Sequence, residues 1–308
     1  MLAHATHGEI VQTFLIFALG GFIAQLVDGS LGMAYGVTST TILLTAGLTP
    51  AVASASVHLA EIGTSAASGL SHWKFGNVDW RVVLILGVPG AVGAFLGATA
   101  LSNLSTEAAE PWMSTILLVL GLYVLLRFAL RPLRRKQLTG VSSKLLAPLG
   151  LVAGFVDATG GGGWGPVATP TLLSTGKVEP RKVVGSVDTS EFLIAVAASL
   201  GFILSLADEP LSWATVGALL IGGVIAAPLA AYLVRIVPMR LIGVGAGGLI
   251  VLTNARTLIK AFELPAPAVI YAVIVVAWVA ALAFTVAQIV RDRREELPEE
   301  EASEPVGS

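Results

Sequence analysis

Residues 150–191 read GLVAGFVDATGGGGWGPVATPTLLSTGKVEPRKVVGSVDTSE. Four consecutive glycines, Gly160 to Gly163, interrupt an apolar run and are followed by Trp164 and Pro166. A helix does not persist through four glycines, each of which costs about 1 kcal/mol relative to alanine. The flanking residues are nevertheless too apolar for a surface loop. The same stretch carries Asp157, Asp188 and Glu191 where a hydrophobic protein avoids charge. Irregular backbone at membrane depth must be buried in protein or line a cavity, because lipid cannot satisfy its N–H and C=O groups.

That the setting is a membrane follows from composition. Apolar residues make up 55% of the chain and charged residues 12%, with a mean hydropathy of +0.84, whereas soluble domains carry roughly 25% charged residues. Several apolar runs approach the ~20 residues a helix needs to cross a bilayer. The expected fold class is therefore all-α, a polytopic membrane protein. A net charge of −2 says nothing about nucleic acid, no basic stripe argues for it, and no nucleic-acid partner is expected. The lack of cysteine removes disulfides, thiolate chemistry and Cys-ligated metals. The first nine residues lack the basic n-region of a cleavable signal.

In order, the apolar segments are A (Ile10–Val27), B (Leu31–Ala46), C (Ala51–Leu70), D (Val82–Leu101) and E (Trp112–Leu130), then A′ (Leu145–Val156), B′ (Trp164–Ser174), C′ (Val183–Leu206), D′ (Leu211–Val234) and E′ (Leu241–Ile259). A last segment, F (Ala268–Val290), has no counterpart. The domain division is a first transmembrane repeat over 10–130, a basic cytoplasmic linker over 131–144, a second repeat over 145–262, an extra helix over 268–290 and a disordered cytoplasmic tail over 291–308. Register supports the repeat. Asp28, Gly32, Gly36 and Gly47 fall opposite Asp157, Gly161, Gly165 and Gly176 at an offset of 129 residues. Pro50, Ser56, Val57 and Glu61 then match Pro180, Ser186, Val187 and Glu191 at 130, and Trp80 and Gly90 match Trp213 and Gly223 at 133.

Lys and Arg collect on the cytoplasmic side. This places the Arg131–Lys144 stretch, Lys74/Arg81, Lys177/Arg181/Lys182, Arg235/Arg240 and the Arg291–Arg294 tail inside. Glu107/Glu110, Asp208/Glu209 and the N-terminus fall outside. The pattern requires an odd number of crossings per repeat, so the halves are expected to be inverted, with A′/B′ half-length or re-entrant. Broken segments at matching places of two inverted halves point to a transport site.

The pattern Gly150-x3-Gly154, Gly160 to Gly163 with Pro166 and Pro170, then Val184-Gly185-Ser186 resembles the sulfite exporter TauE/SafE family, also called the sulfite/toluene-sulfonate transporter group. The resemblance spans nearly all of Ile10 to Val290. In the first half Gly29-Ser30-Leu31-Gly32 replaces the glycine cluster, and Thr41 stands where the second half has Pro170. The resemblance implies a multi-pass carrier of the bacterial cytoplasmic membrane that exports sulfite or a small organosulfonate, driven by ion gradients and not by ATP. No Walker-type G-x4-G-K-[ST] is present, no cofactor is expected, and a homo-oligomer is compatible with the reading.

The candidate substrate residues are Gly160, Gly161, Gly162, Gly163, Trp164 and Thr169 at the second break, with Gly32, Tyr35, Thr38, Ser39 and His58 in the first half. The ends of broken helices present N–H groups with partial positive charge to an anion, and glycine lets that backbone approach. The plainer reading is that the glycines break helices or pack. The carboxylates Glu61, Glu191, Asp28, Asp157 and Asp188 have three readings. They hold protons when the anion is bound, they fix helix ends, or they bind a cation directly. An ionised side chain at the centre of a spanning helix costs roughly 2.5–3.5 kcal/mol, so none is there by default. Gly93/Gly97 and Gly243/Gly247, spaced as G-x3-G, read as helix contacts. The loop His72 to Arg81 reads as an interfacial anchor or as an attractor of anions. The chief rival is a transporter of a divalent metal cation or a proton-coupled cation, which the acids and His58 would suit. No His/Cys/Asp cluster at metal-ligand spacing supports a metal site, and no nucleophile–His–acid set or H-E-x-x-H supports an enzyme.

Overall fold

The computed structural model describes residues 7–31, 33–130, 142–175, 177–206, 211–233 and 238–303. Gly32, Gly176, most of the basic linker, Asp208, Glu209, Arg235 and the last five residues lie outside the described residues. The described chain is helical throughout: α1 (His7–Leu31), α2 (Tyr35–Thr45), α3 (Pro50–Lys74), α4 (Trp80–Ser102), α5 (Thr106–Leu130), α6 (Ser143–Gly160), α7 (Trp164–Thr175), α8 (Pro180–Ser205), α9 (Trp213–Leu233), α10 (Met239–Ala261) and α11 (Pro267–Ser303). Six of them, α1, α4, α5, α8, α10 and α11, contain stretches long and apolar enough to cross a membrane. Exposed apolar stripes such as Leu84, Val88, Val92 and Leu96 on α4 recur every four residues, the spacing of one helical face.

α2 and α7 have 11 and 12 residues, lengths of only about 16–18 Å at ~1.5 Å per residue. Neither crosses a bilayer alone. α3 has the length to cross, but its middle holds Ser54, Ser56, His58, Glu61 and Ser65, all buried. Buried polar groups of this kind need partners inside the bundle, so α3 belongs at its centre.

Two boundaries differ from the sequence expectation. α1 runs through Asp28 and Gly29 to Leu31, so the first break falls later, at Met33–Ala34, where Ala34 takes a φ of 105°. Asp28 stays in the helix because its carboxylate reaches forward across the break (below). α11 continues past Val290 to Ser303 instead of giving way to a disordered tail at Arg291. Arg, Glu and Leu are strong helix formers, and they dominate that stretch.

The halves interlock. α6 packs along α4 with Gly150 against Leu86 and Gly154 against Gly90, and the two helices run parallel. The counterpart contact places Gly21 of α1 against Leu219 of α9. α3 and α8 run antiparallel, since Gly69 abuts Thr189 while Gly185 abuts His72. α5 and α10 are antiparallel too, with Gly121 against Ile250 and Gly243 against Phe128. Gly93, Gly97, Gly243 and Gly247 all sit where a neighbouring helix leaves no space for a side chain, in agreement with the packing reading. Smaller contacts recur at the repeat offsets as well: a Cβ on Gly90 would stand 2.6 Å from the Trp164 ring, and one on Gly223 3.5 Å from the Tyr35 ring.

Candidate transport site

The two breaks meet. α6 ends in a left-handed turn, with φ of 69° at Gly161 and 136° at Gly162, values that side-chain-bearing residues rarely adopt. The first turn of α2 lies directly on this corner. A Cβ on Gly36 would stand 2.6 Å from the Gly162 Cα, and the Thr40 hydroxyl donates to the Gly161 carbonyl. Glycine is therefore required at Gly162 twice, by its own backbone and by the helix leaning on it.

The amides of this corner are already engaged. Gly162 N–H donates to the Asp157 carbonyl (2.9 Å), while Gly163 and Trp164 N–H donate to Asp157 Oδ1 at 2.6 and 2.9 Å. Asp157 thus caps α7 from the preceding helix. Its repeat counterpart does the same: Tyr35 N–H, at the start of α2, donates to Asp28 Oδ1 at 3.1 Å. The carboxylates of Asp28 and Asp157 thus each accept from the first residues of, or the turn into, the short helix that follows. The sequence expectation of free amides turned towards an anion is not met at Gly162, Gly163 or Trp164 in this conformation.

Asp157 Oδ2 lies 3.0 Å from His58 Nε2, and His58 Nδ1 lies 2.8 Å from the Ser54 carbonyl. His58 and Asp157 are 0% and 3% exposed. Each is thus buried with an opposite partner, and removing either would leave the other uncompensated in the interior. Ser54 also donates to the Ala158 carbonyl (2.8 Å), tying α3 to the end of α6.

Beside this sealed pair is a void of about 20 Å³, room for a water but not for a sulfonate. Its wall comprises Gln25 and Asp28 of α1, Tyr35 of α2, Glu61, Thr64, Ser65 and Ser68 of α3, and Asp188 and Glu191 of α8. Four of these are carboxylates and none is Lys or Arg. Glu61 is buried, whereas Asp28, Asp188 and Glu191 are half-buried. The Ser65 hydroxyl donates to the Glu61 carbonyl, and a Ser68 side-chain hydrogen bond holds Asp188. At the outer edge His72 Nε2 lies 3.8 Å from Asp188 Oδ2.

The cavity therefore gathers Asp28, Tyr35, Glu61, Asp188 and Glu191 from the sequence-derived candidates. Gly161, Gly162, Gly163 and Trp164 form the adjoining corner, and Gly160 is buried against Ile116. Thr38 and Thr169 are buried with hydroxyls that have no hydrogen-bond partner among the described residues, away from the cavity wall. Ser39 turns its hydroxyl back onto the Tyr35 carbonyl at 2.6 Å. Sequence reasoning missed Gln25, Thr64, Ser65 and Ser68. The i, i+3, i+4, i+7 spacing of Glu61, Thr64, Ser65 and Ser68 along one helix face was the available signal.

Comparison with known proteins places this architecture. The sequence profile described as Sulfite exporter TauE/SafE matches residues 17–257. The chain belongs to the sulfite exporter TauE/SafE family. A relative described as the probable membrane transporter protein YtnM of Bacillus subtilis (strain 168) is 53% identical over 283 residues, covering 91% of this chain and 94% of the relative. The probable membrane transporter proteins YunE and YdhB of the same organism are 22% and 26% identical, covering 66% and 63% of this chain and 81% and 77% of their own lengths. No solved structure matches the chain significantly. As a TauE/SafE member it is a multi-pass membrane transporter of the bacterial cytoplasmic membrane. Both helix breaks and every residue of the cavity wall lie within the matched region.

Proposed function

We propose that the protein is a proton-coupled secondary transporter that exports sulfite or a small organosulfonate by alternating access, its two halves inverted relative to one another in the membrane. The carrying observation is the composition of the cavity wall: four carboxylates, three aliphatic hydroxyls and a tyrosine, with no cation. Four ionised acids around one void inside a bilayer protein are untenable, since each uncompensated charge costs roughly 2.5–3.5 kcal/mol even on insertion scales. Protons or a bound cation must neutralise them. No group of three or more His, Cys, Asp or Glu among the described residues has the geometry to hold a metal ion, which favours protons. Once protonated, the acids become O–H donors, whereas the Ser65 and Tyr35 hydroxyls already donate to the Glu61 and Leu219 carbonyls. A wall of such donors suits an oxyanion, and the anion is admitted only together with protons. That linkage is the coupling. The narrow void corresponds to a closed state, and substrate binding widens it.

The antiparallel α3/α8 and α5/α10 pairs support inversion, because an axis in the membrane plane reverses matching helices whereas an axis along the normal does not. The sulfur oxyanion rests on the family. The competing reading, a divalent or proton-coupled cation transporter, is favoured by the same acids. Binding of sulfite, sulfoacetate, taurine and Ni²⁺ to the purified protein separates the two. Sulfite or sulfoacetate should bind, more tightly at lower pH within the folded range. Binding of Ni²⁺ alone would establish the cation reading in its place.

A further inference from the structure

The cavity has a counterpart at the repeat offsets, and the two are built from opposite materials. Around the void stand Tyr35, Thr64, Ser65, Ser68 and the contact between Asp188 and His72. The matching positions hold Trp164, Ile194, Ala195, Ala198 and the contact between His58 and Phe202. The correspondence is geometric as well as sequential. His58 and Phe202 have ring centroids 6.0 Å apart, and their counterparts Asp188 and His72 approach to 3.8 Å. Trp164 seats its ring on Gly90 as Tyr35 does on Gly223. In the second position nothing is open. Trp164, Ile194, Ala195, Ala198 and Phe202 are each 0% exposed, and Trp164 Nε1 donates to the Val187 carbonyl at 3.0 Å. In the first, Asp188 and His72 keep 20% and 27% of their side chains exposed. His72 Nδ1 and Asp188 Oδ2 have no hydrogen-bond partner among the described residues.

We propose that the strip Thr64–Ser65–Ser68–His72, facing Asp188, is the route by which a small oxyanion and its protons reach the cavity, and that Trp164 with Ile194, Ala198 and Phe202 is the seal across the matching route on the other side. The strip climbs α3 towards its C-terminal end, where α8 begins. Asn77 N–H donates to the His72 carbonyl at 2.9 Å, and Asp79 N–H donates to the Ser186 hydroxyl at 2.8 Å, fixing the turn after α3 onto α8. Gly185 admits that turn, since a Cβ there would stand 3.0 Å from His72 Nδ1. Lys74, Arg81 and Lys177 are exposed around this end and Lys182 is half-buried there. Positive charge at a mouth concentrates anions and speeds their entry. The groups facing the route are thus acidic inside (Asp28, Glu61, Asp188, Glu191), His72 at the threshold, and basic outside. The seal side presents the apolar, fully buried Trp164, Ile194, Ala198 and Phe202 until the Trp164 corner moves.

This inference rests on the reading of the halves as matched copies, and its test reads accessibility and not transport. The chain has no cysteine, so single cysteines report in the native background. Ser68→Cys and Thr64→Cys sample the route, Ala198→Cys and Ile194→Cys the seal, and Lys74→Cys marks the face. Each is exposed to a membrane-impermeant cationic methanethiosulfonate in right-side-out and in inside-out vesicles. The route cysteines should react from the same face as Lys74→Cys, and faster than the seal cysteines by about tenfold or more, as expected when a second state is populated at ~0.1–10%. Adding Trp164→Ala should raise the reactivity of Ala198→Cys from the opposite face. Equal rates at both strips, faster reaction at the seal, or reaction of the route from the face opposite Lys74 would overturn the proposal. Two positions per strip guard against one variant that does not fold.

Discussion

Asp28 and Asp157 each cap a short helix, α2 and α7, from the helix before it, yet removing them should have very different consequences. Asp157→Ala deletes two short bonds to Gly163 and Trp164 N–H and leaves His58 buried without its partner. Loss of a helix cap costs about 0.5–2 kcal/mol, and removing one member of a buried charge pair about 3–5 kcal/mol. Because the two terms share one carboxylate, their combined effect is on the order of 4–6 kcal/mol. Asp28→Ala deletes one longer bond, to Tyr35 N–H. It also relieves the crowding of Asp28 with the other acids of the cavity wall, so its cost is about 0.5–2 kcal/mol at most. Equilibrium unfolding of the purified protein in mixed detergent–SDS micelles, followed by tryptophan fluorescence, compares the two. A His58→Ala/Asp157→Ala double variant should cost less than the sum of the singles. Equal costs for Asp28→Ala and Asp157→Ala, within about 1 kcal/mol, would refute the asymmetry argued from these contacts.

Gly162→Ala should destabilise by about 2–5 kcal/mol, combining a left-handed backbone cost with overpacking against Gly36, and the same unfolding assay reads it. Trp164→Ala should lower stability by about 3–5 kcal/mol through the cavity it leaves, and Trp164→Phe by less, with the indole bond to Val187 lost in both. Glu191→Gln should flatten the pH dependence of transport in vesicles, and a profile unchanged from the wild type would remove Glu191 from proton handling.

Much of the scaffold was legible because it depends on local chemistry. Runs of apolar residues gave the helices, and Gly160 to Gly163 gave the second break. What could not be read was where side chains go across the break. Asp157 folds forward onto the amides of its own corner, a contact over six and seven residues that no periodicity announces. This turns the expected anion-binding amides into a capped helix end. The partner of His58 was likewise hidden. The fold joins it to Asp157, 99 residues away, on a helix of the other half. Asp28 looked like the end of its helix because Asp-Gly punctuates a chain, yet α1 continues for three residues beyond it. The hydroxyl strip Thr64, Ser65 and Ser68 on α3 was missed, because only the facing acids of α8 give it a role.

The account stands most directly on whether anion movement carries protons. The purified protein is reconstituted into liposomes holding a pH-sensitive dye, and an outward gradient of sulfite or sulfoacetate is imposed against protein-free controls. The reading predicts anion efflux with protons moving in the same direction, and loss of the proton component in Glu61→Gln. Efflux with no proton movement, or movement of Ni²⁺ with none of either anion, would contradict it.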